Sequence, residues 1–135
     1  MNNAIQRRAL VFAALPWLAS APASAQRIVT VEPMQVQGPL PAEVVRRVVL
    51  RHLGVLRMCF ENRLRVRPTL QGRVSIRFVI GRDGAVSHAR DADSSLADVT
   101  VRTCMIRVVR RLQFPIPEGA TVTVLTSMVW TPPAA

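Results

Sequence analysis

The chain has 135 residues, half of them hydrophobic, with eighteen basic residues against eight acidic ones and a formal net charge of +10. All eighteen are arginine. A chain this short has room for one small domain with a core and little more, and its charge favours anionic partners such as lipid head groups, polyanions or acidic proteins.

Residues 1–25 read as an export signal. Arg7 and Arg8 form its charged start, Ala9 to Ala19 its apolar core, and Ala23-Ser24-Ala25 a small-residue cleavage site, so the mature chain is expected to begin at Gln26. The apolar run is about half the ~20 residues that a spanning helix needs, and Pro16 interrupts it, which argues against a membrane anchor. Gln6-Arg7-Arg8-Ala9-Leu10-Val11 also fits a loose twin-arginine pattern, so the sequence leaves the export route open. An exported chain belongs in the periplasm, away from nucleic acid. There, two cysteines, Cys59 and Cys104, are expected to form one disulfide.

Residues 26–39 are expected to be a flexible lead-in, with Ile28-Val29-Thr30-Val31 able to add an edge strand before Pro33, Gly38 and Pro39. From Pro41 to about Val66 the apolar positions Val45, Val48, Val49, Leu53, Leu56, Cys59, Phe60 and Leu64 fall at helical spacing. Arg46, Arg47, Arg51 and Arg57 lie on the other face. This predicts one long amphipathic helix with a basic back. Pro68 and Gly72 end it.

Val74, Ile76, Phe78 and Ile80 then alternate with Arg73, Ser75 and Arg77, the period of a strand with one face buried. Gly81-Arg82-Asp83-Gly84 turns the chain back. A three-residue loop with Gly84 left-handed sets Ile80 beside Val86 on one face, whereas a two-residue loop would not. The second strand loses clean alternation after Val86, which a bulge or a frayed end explains. Ser94 or Ser95 is expected to cap a second helix, with Asp98 as its capping-box acid and Ala97, Val101, Cys104, Met105, Val108 and Leu112 as its buried stripe. Cys59 and Cys104 sit mid-stripe on the two helices, where packing side by side would bring them together. After Phe114-Pro115-Ile116-Pro117-Glu118-Gly119, a last strand runs from Thr121 to Trp130. The predicted fold is α+β in the order α-β-β-α-β, two amphipathic helices packed on one face of a small antiparallel sheet and joined by a disulfide.

No catalytic constellation is evident. His52 and His88 lack ligands at suitable spacing, Asp83 and Asp98 are explained by a turn and a cap, and Gly81-Arg82-Asp83-Gly84 is a hairpin and not a phosphate loop. The reading is therefore of a non-enzymatic protein with no metal and no cofactor.

The order of residues carries further information. Gly38-Pro39-Leu40, Glu43-Val44-Val45-Arg46-Arg47-Val48-Val49, Arg51-His52-Leu53, Cys59-Phe60-Glu61 and Leu70-Gln71-Gly72-Arg73-Val74 resemble the AgmX/PglI C-terminal domain family. So do Phe78-Val79-Ile80, Asp83-Gly84-Ala85-Val86, Ser94-Ser95-Leu96, Cys104, Val108-Val109-Arg110-Arg111, Phe114-Pro115 and Pro117-Glu118-Gly119. The resemblance implies a TonB C-terminal-like domain over residues 40–131 followed by a tail at 132–135, and a cysteine pair at Cys59 and Cys104. It further implies a periplasmic protein-interaction module of the kind found in envelope transport and gliding motility. The chain departs from the family's pattern at Phe60, at Asp91 and in Ser127-Met128-Val129-Trp130.

From this follow two expectations for function. The first is strand addition, in which an extended segment of another envelope protein pairs with the edge of the last strand, through Thr121, Thr123, Met128, Val129 and Trp130. Trp130 and Met128 serve there as anchors or, as alternating strand positions, belong to the core. The second is binding of envelope polyanions or an anionic membrane surface by Arg46, Arg47, Arg51 and Arg57. Exposed strand edges also leave a homodimer open.

Overall fold

A computed structural model describes residues 28–133. The expected export signal lies outside the described residues. Eight elements follow one another: β1 (Val29–Val31), β2 (Gln35–Gln37), α1 (Ala42–Arg51), α2 (Leu53–Leu64), β3 (Gly72–Ile80), β4 (Val86–Asp91), α3 (Val99–Arg110) and β5 (Val122–Trp130). They form an α+β domain, three helices on a five-stranded antiparallel sheet of order β1-β5-β3-β4, with β2 pairing β5 as well.

The long helix expected over Pro41 to Val66 is two helices, broken at His52. In a continuing helix the His52 N–H would donate to the Val48 carbonyl. Here the His52 ring Nδ1 takes that carbonyl at 3.0 Å, and the backbone N–H turns to Val49 O at 3.0 Å. Gly54, a poor helix former, follows two residues on. The apolar stripe continues across the break, with Val45, Val48 and Val49 buried on α1 and Leu56, Cys59 and Phe60 on α2.

The hairpin forms as its residues dictate. Gly84 has φ +85, Gly81 N–H donates to Ala85 O at 2.7 Å, and Ile80 pairs with Val86. A side chain at Gly84 would also run into the Phe114 carbonyl, 2.3 Å from where its Cβ would sit. Gly72, at φ +146, lets the Leu96 backbone pass at 2.8 Å from the same notional position.

The second helix starts later than its serines suggest. Asp98 is itself the cap of α3, its Oδ1 accepting from Val101 N–H at 3.0 Å. Ser94 and Ser95 serve the sheet instead, their hydroxyls accepting from the N–H groups of Ser75 and Arg73 at 3.0 and 2.9 Å. Residues 92–96 thereby continue the cover of β3 where β4 stops, and Leu96 is fully buried behind them.

One face of the sheet carries Val74, Ile76, Phe78 and Ile80 of β3 with Val122, Val124, Met128 and Trp130 of β5, all buried. The three helices lay Val45, Val49, Leu56, Phe60, Val101 and Met105 against them. Phe60 and Trp130 meet with ring centroids 5.4 Å apart, Phe78 and Phe114 at 5.7 Å. Cys59 and Cys104 form the disulfide between α2 and α3, with a Cα distance of 5.8 Å and a sequence separation of 45. A second tie joins the same helices at one end. The Asp98 carboxylate, only 2 % exposed, receives Arg63 at 3.0 Å and Arg67 at 3.2 Å. Burial by itself would raise the Asp98 pKa. The Val101 N–H and the two guanidinium groups outweigh burial and hold it below the ordinary 3.8.

Two outcomes follow for stability. Closing a loop of this length removes denatured-state entropy amounting to roughly 4 kcal/mol, so a Cys59→Ala/Cys104→Ala variant is expected to unfold at markedly lower denaturant with nearly unchanged secondary structure, as circular dichroism would record. Because the folded-state pKa of Asp98 is depressed, its contribution is complete above about pH 4 and drains away as pH falls through the folded value. Asp98→Ala, losing a cap and two charge-assisted bonds to part-exposed arginines, is expected to cost about 2–3 kcal/mol at neutral pH and to flatten the acid limb of a stability–pH curve.

Candidate interaction surface

The pairing of β5 decides where a partner strand can go. Along one edge β5 is paired with all of β3, from Gly72 opposite Trp130 to Ile80 opposite Val122. Along the other, Val29–Val31 pair with Trp130–Met128 and Gln35–Gln37 with Leu125–Thr123. The last strand therefore lies inside the sheet, and the expectation that it offers a free edge is corrected. The cause is the lead-in. Its valines suit a pleated surface, so the segment docks on β5 as two short strands, and Pro33 keeps them from merging into one. Of the five residues expected to bind a partner there, Met128 and Trp130 are fully buried core residues. Thr123 and Val129 are half-buried on the sheet's other face, and Thr121 precedes the strand.

The free long edge belongs to β4, which pairs with β3 alone. Ala92 N–H donates to Ser75 O at 2.8 Å, and by the alternation of an antiparallel ladder Arg90 and His88 turn their backbone groups to β3. Those of Ala89 and Asp91 turn outward. The Ala89 carbonyl accepts from the Arg110 guanidinium of α3 at 3.3 Å, a charged side chain laid over the edge.

The sheet face away from the helices has no second layer among the described residues. At its centre the hydroxyls of Ser75 and Ser127 bond at 2.8 Å. Arg73 is held by Glu32, with its Nη2 2.8 Å from the carboxylate. The hydrogen bond from Arg73 is the main reason the Glu32 pKa is lowered. Toward the β4 edge the face changes character: Arg77 stands directly opposite Arg90, and Val79 opposite His88. Leu125 and Thr123 of β5 flank Arg77 and Val79 on the inner side.

None of the residues Arg77, His88, Arg90 and Arg110 was singled out from sequence as a binding residue, though Arg77 lies on the wet side of its strand's alternation. The obstacle is register. Extending the Ile80–Val86 pairing would set Arg77 against Ala89. A bulge between Val79 and Ile80 shifts the ladder by one residue, so that Ala89 meets Phe78 on the core face and Arg90 meets Arg77 on the open one. The loss of alternation after Val86 is the trace of that bulge in the sequence.

The arginines expected to bind polyanions separate into two places. Arg46, Arg47 and Arg51 line one shallow depression of about 430 Å3 on α1, with Glu43 and Leu50. Arg57 lies beyond the His52 break and pairs with Glu61 at 3.1 Å. Among the described residues no helix is long and apolar enough to cross a membrane, and no three His, Cys, Asp or Glu side chains gather as a metal site. The chain matches no family model, no curated protein and no solved structure.

Proposed function

We propose that this protein is a non-enzymatic binding module of the periplasm that takes an extended segment of another envelope protein as an added strand on β4. The observation that carries this reading is the edge itself. β4 is six residues long, pairs on one side only, and is covered at Ala89 by the side chain of Arg110. Strand addition needs backbone donors and acceptors on an accessible edge, and pockets or charges for alternate side chains beside it. An Arg110 guanidinium over the Ala89 carbonyl suits a gate, because it satisfies the edge in the free protein and can swing away when a strand arrives. Five of the eight acids already have structural work: Asp98 in a cap, Asp83 in a turn, Glu32, Glu61 and Asp91 in ion pairs. An oxidising compartment suits the Cys59–Cys104 bridge. The resemblance to AgmX/PglI C-terminal domains points the same way, toward envelope transport or gliding motility.

A second reading rests on α1, where Arg46, Arg47 and Arg51 share a depression with the half-exposed Leu50. Such a surface suits anionic lipid or a polyanion, with affinity falling steeply as salt rises.

One experiment separates them. A photoreactive residue at Ser87, on the β4 edge, is expected to capture one envelope protein in cells. Capture confined to a photoreactive residue at Arg47, with lipid or polyanion as the product, would shift the function to α1. Arg110→Ala, which frees the Ala89 carbonyl, is expected to strengthen partner binding roughly three- to tenfold, the equivalent of about 1 kcal/mol of competing hydrogen bond, as titration calorimetry with the captured partner would measure.

A further inference from the structure

We infer that the segment taken by β4 is acidic, with carboxylates at alternate positions that fall opposite Arg90 and His88. This rests on strand addition at β4 and names the chemistry of its partner.

Arg77 and Arg90 face each other across the β3–β4 ladder. Like charges directly opposite in an antiparallel pair are destabilising. Neither guanidinium has a hydrogen bond or an ion pair among the described residues, whereas Arg73 on the same face is matched by Glu32 and Arg102 of α3 by Asp91. The fold thus supplies acids to the arginines on either side and leaves this pair with none, beside the longer of the sheet's two outer edges. His88 lies two residues before Arg90 and so on the same face, which extends the row along β4.

An added strand would run about 4.8 Å outside β4 with its pleat aligned to it. Its residue opposite Arg90 and the one two positions away, opposite His88, would both emerge on the open face. A carboxylate at the first position meets Arg90 directly, with Arg77 behind it. Its attraction for Arg90, and more weakly for Arg77, offsets the cross-strand repulsion. A neutral strand would leave the repulsion in place, and a basic one would add to it, so the pair also rejects the wrong segments. Backbone pairing distinguishes this partner from a polyanion, which would engage the guanidinium groups and leave the outward amides of Ala89 and Asp91 unpaired.

The test uses the disulfide-bonded exported chain and two short peptides, one alternating glutamate with threonine and one with glutamine at each glutamate. The glutamate peptide is expected to bind roughly tenfold tighter at low salt, to shift and protect the amides of Ala89 and Asp91, and to lose most of that advantage by about 0.3 M salt. Arg77→Gln and Arg90→Gln are each expected to abolish the difference between the peptides and to raise the melting temperature of the free protein, since the like-charge pair is relieved. Equal binding of both peptides at β4 would overturn the acidic preference and keep strand addition. Protection of no β4 amide by either peptide would overturn both. Shifts at Arg77 and Arg90 with polyphosphate, but with no peptide, would assign the pair to a polyanion and overturn the inference.

Discussion

Everything in this domain depends on β5 being hydrogen-bonded along both edges. A strand in that position cannot present a slipped register, because a shift of one residue would turn Val122, Val124, Met128 and Trp130 from the core to the open face. With β5 fixed, β3 is fixed beside it, and the side chains of the two strands define the surface on which the helices lie. The lead-in contributes more than length suggests. Its two short strands close the edge next to Trp130 and bury Ile28. They also hide from partners the strand that the sequence presents as the most open.

The helices are held to that surface by apolar burial and to one another by two different ties. The disulfide acts mainly on the unfolded chain, by shortening the loop between α2 and α3. Asp98 acts on the folded one. A carboxylate so deeply buried would be costly alone, yet it accepts from a helix N-terminus and from two arginines whose outer parts remain in water. The pair of ties gives the two helices one relative position, and Arg110 at the far end of α3 is thereby placed over the β4 edge.

The same arrangement shapes the chemistry on offer. One face of the sheet is covered and, apart from Thr126, apolar; the other carries hydroxyls at its centre and cations toward β4. On that open face Arg73 is tied to Glu32, whereas Arg77 and Arg90 stand beside the β4 edge with no acid. A surface of this kind suits the proposed strand addition, in which backbone pairing and charge selection would act without a pocket or a reacting group.

Much of this was legible in the residues. Alternation marked β3 and β5, a turn with Gly84 at its left-handed position marked the hairpin, and helical spacing put Cys59 and Cys104 on the buried stripes where they meet. These are local or periodic properties, and a chain must satisfy them wherever it folds. What only the tertiary structure decided were matters of neighbourhood: that a valine-containing lead-in takes the edge of β5, that His52 captures a carbonyl and splits a helix, that Ser94 and Ser95 bond to β3 instead of capping α3, and that a one-residue bulge turns Arg90 toward Arg77. Each of these depends on which of several competing partners a polar group or strand edge finds, and that competition is resolved by contacts between residues far apart in the chain.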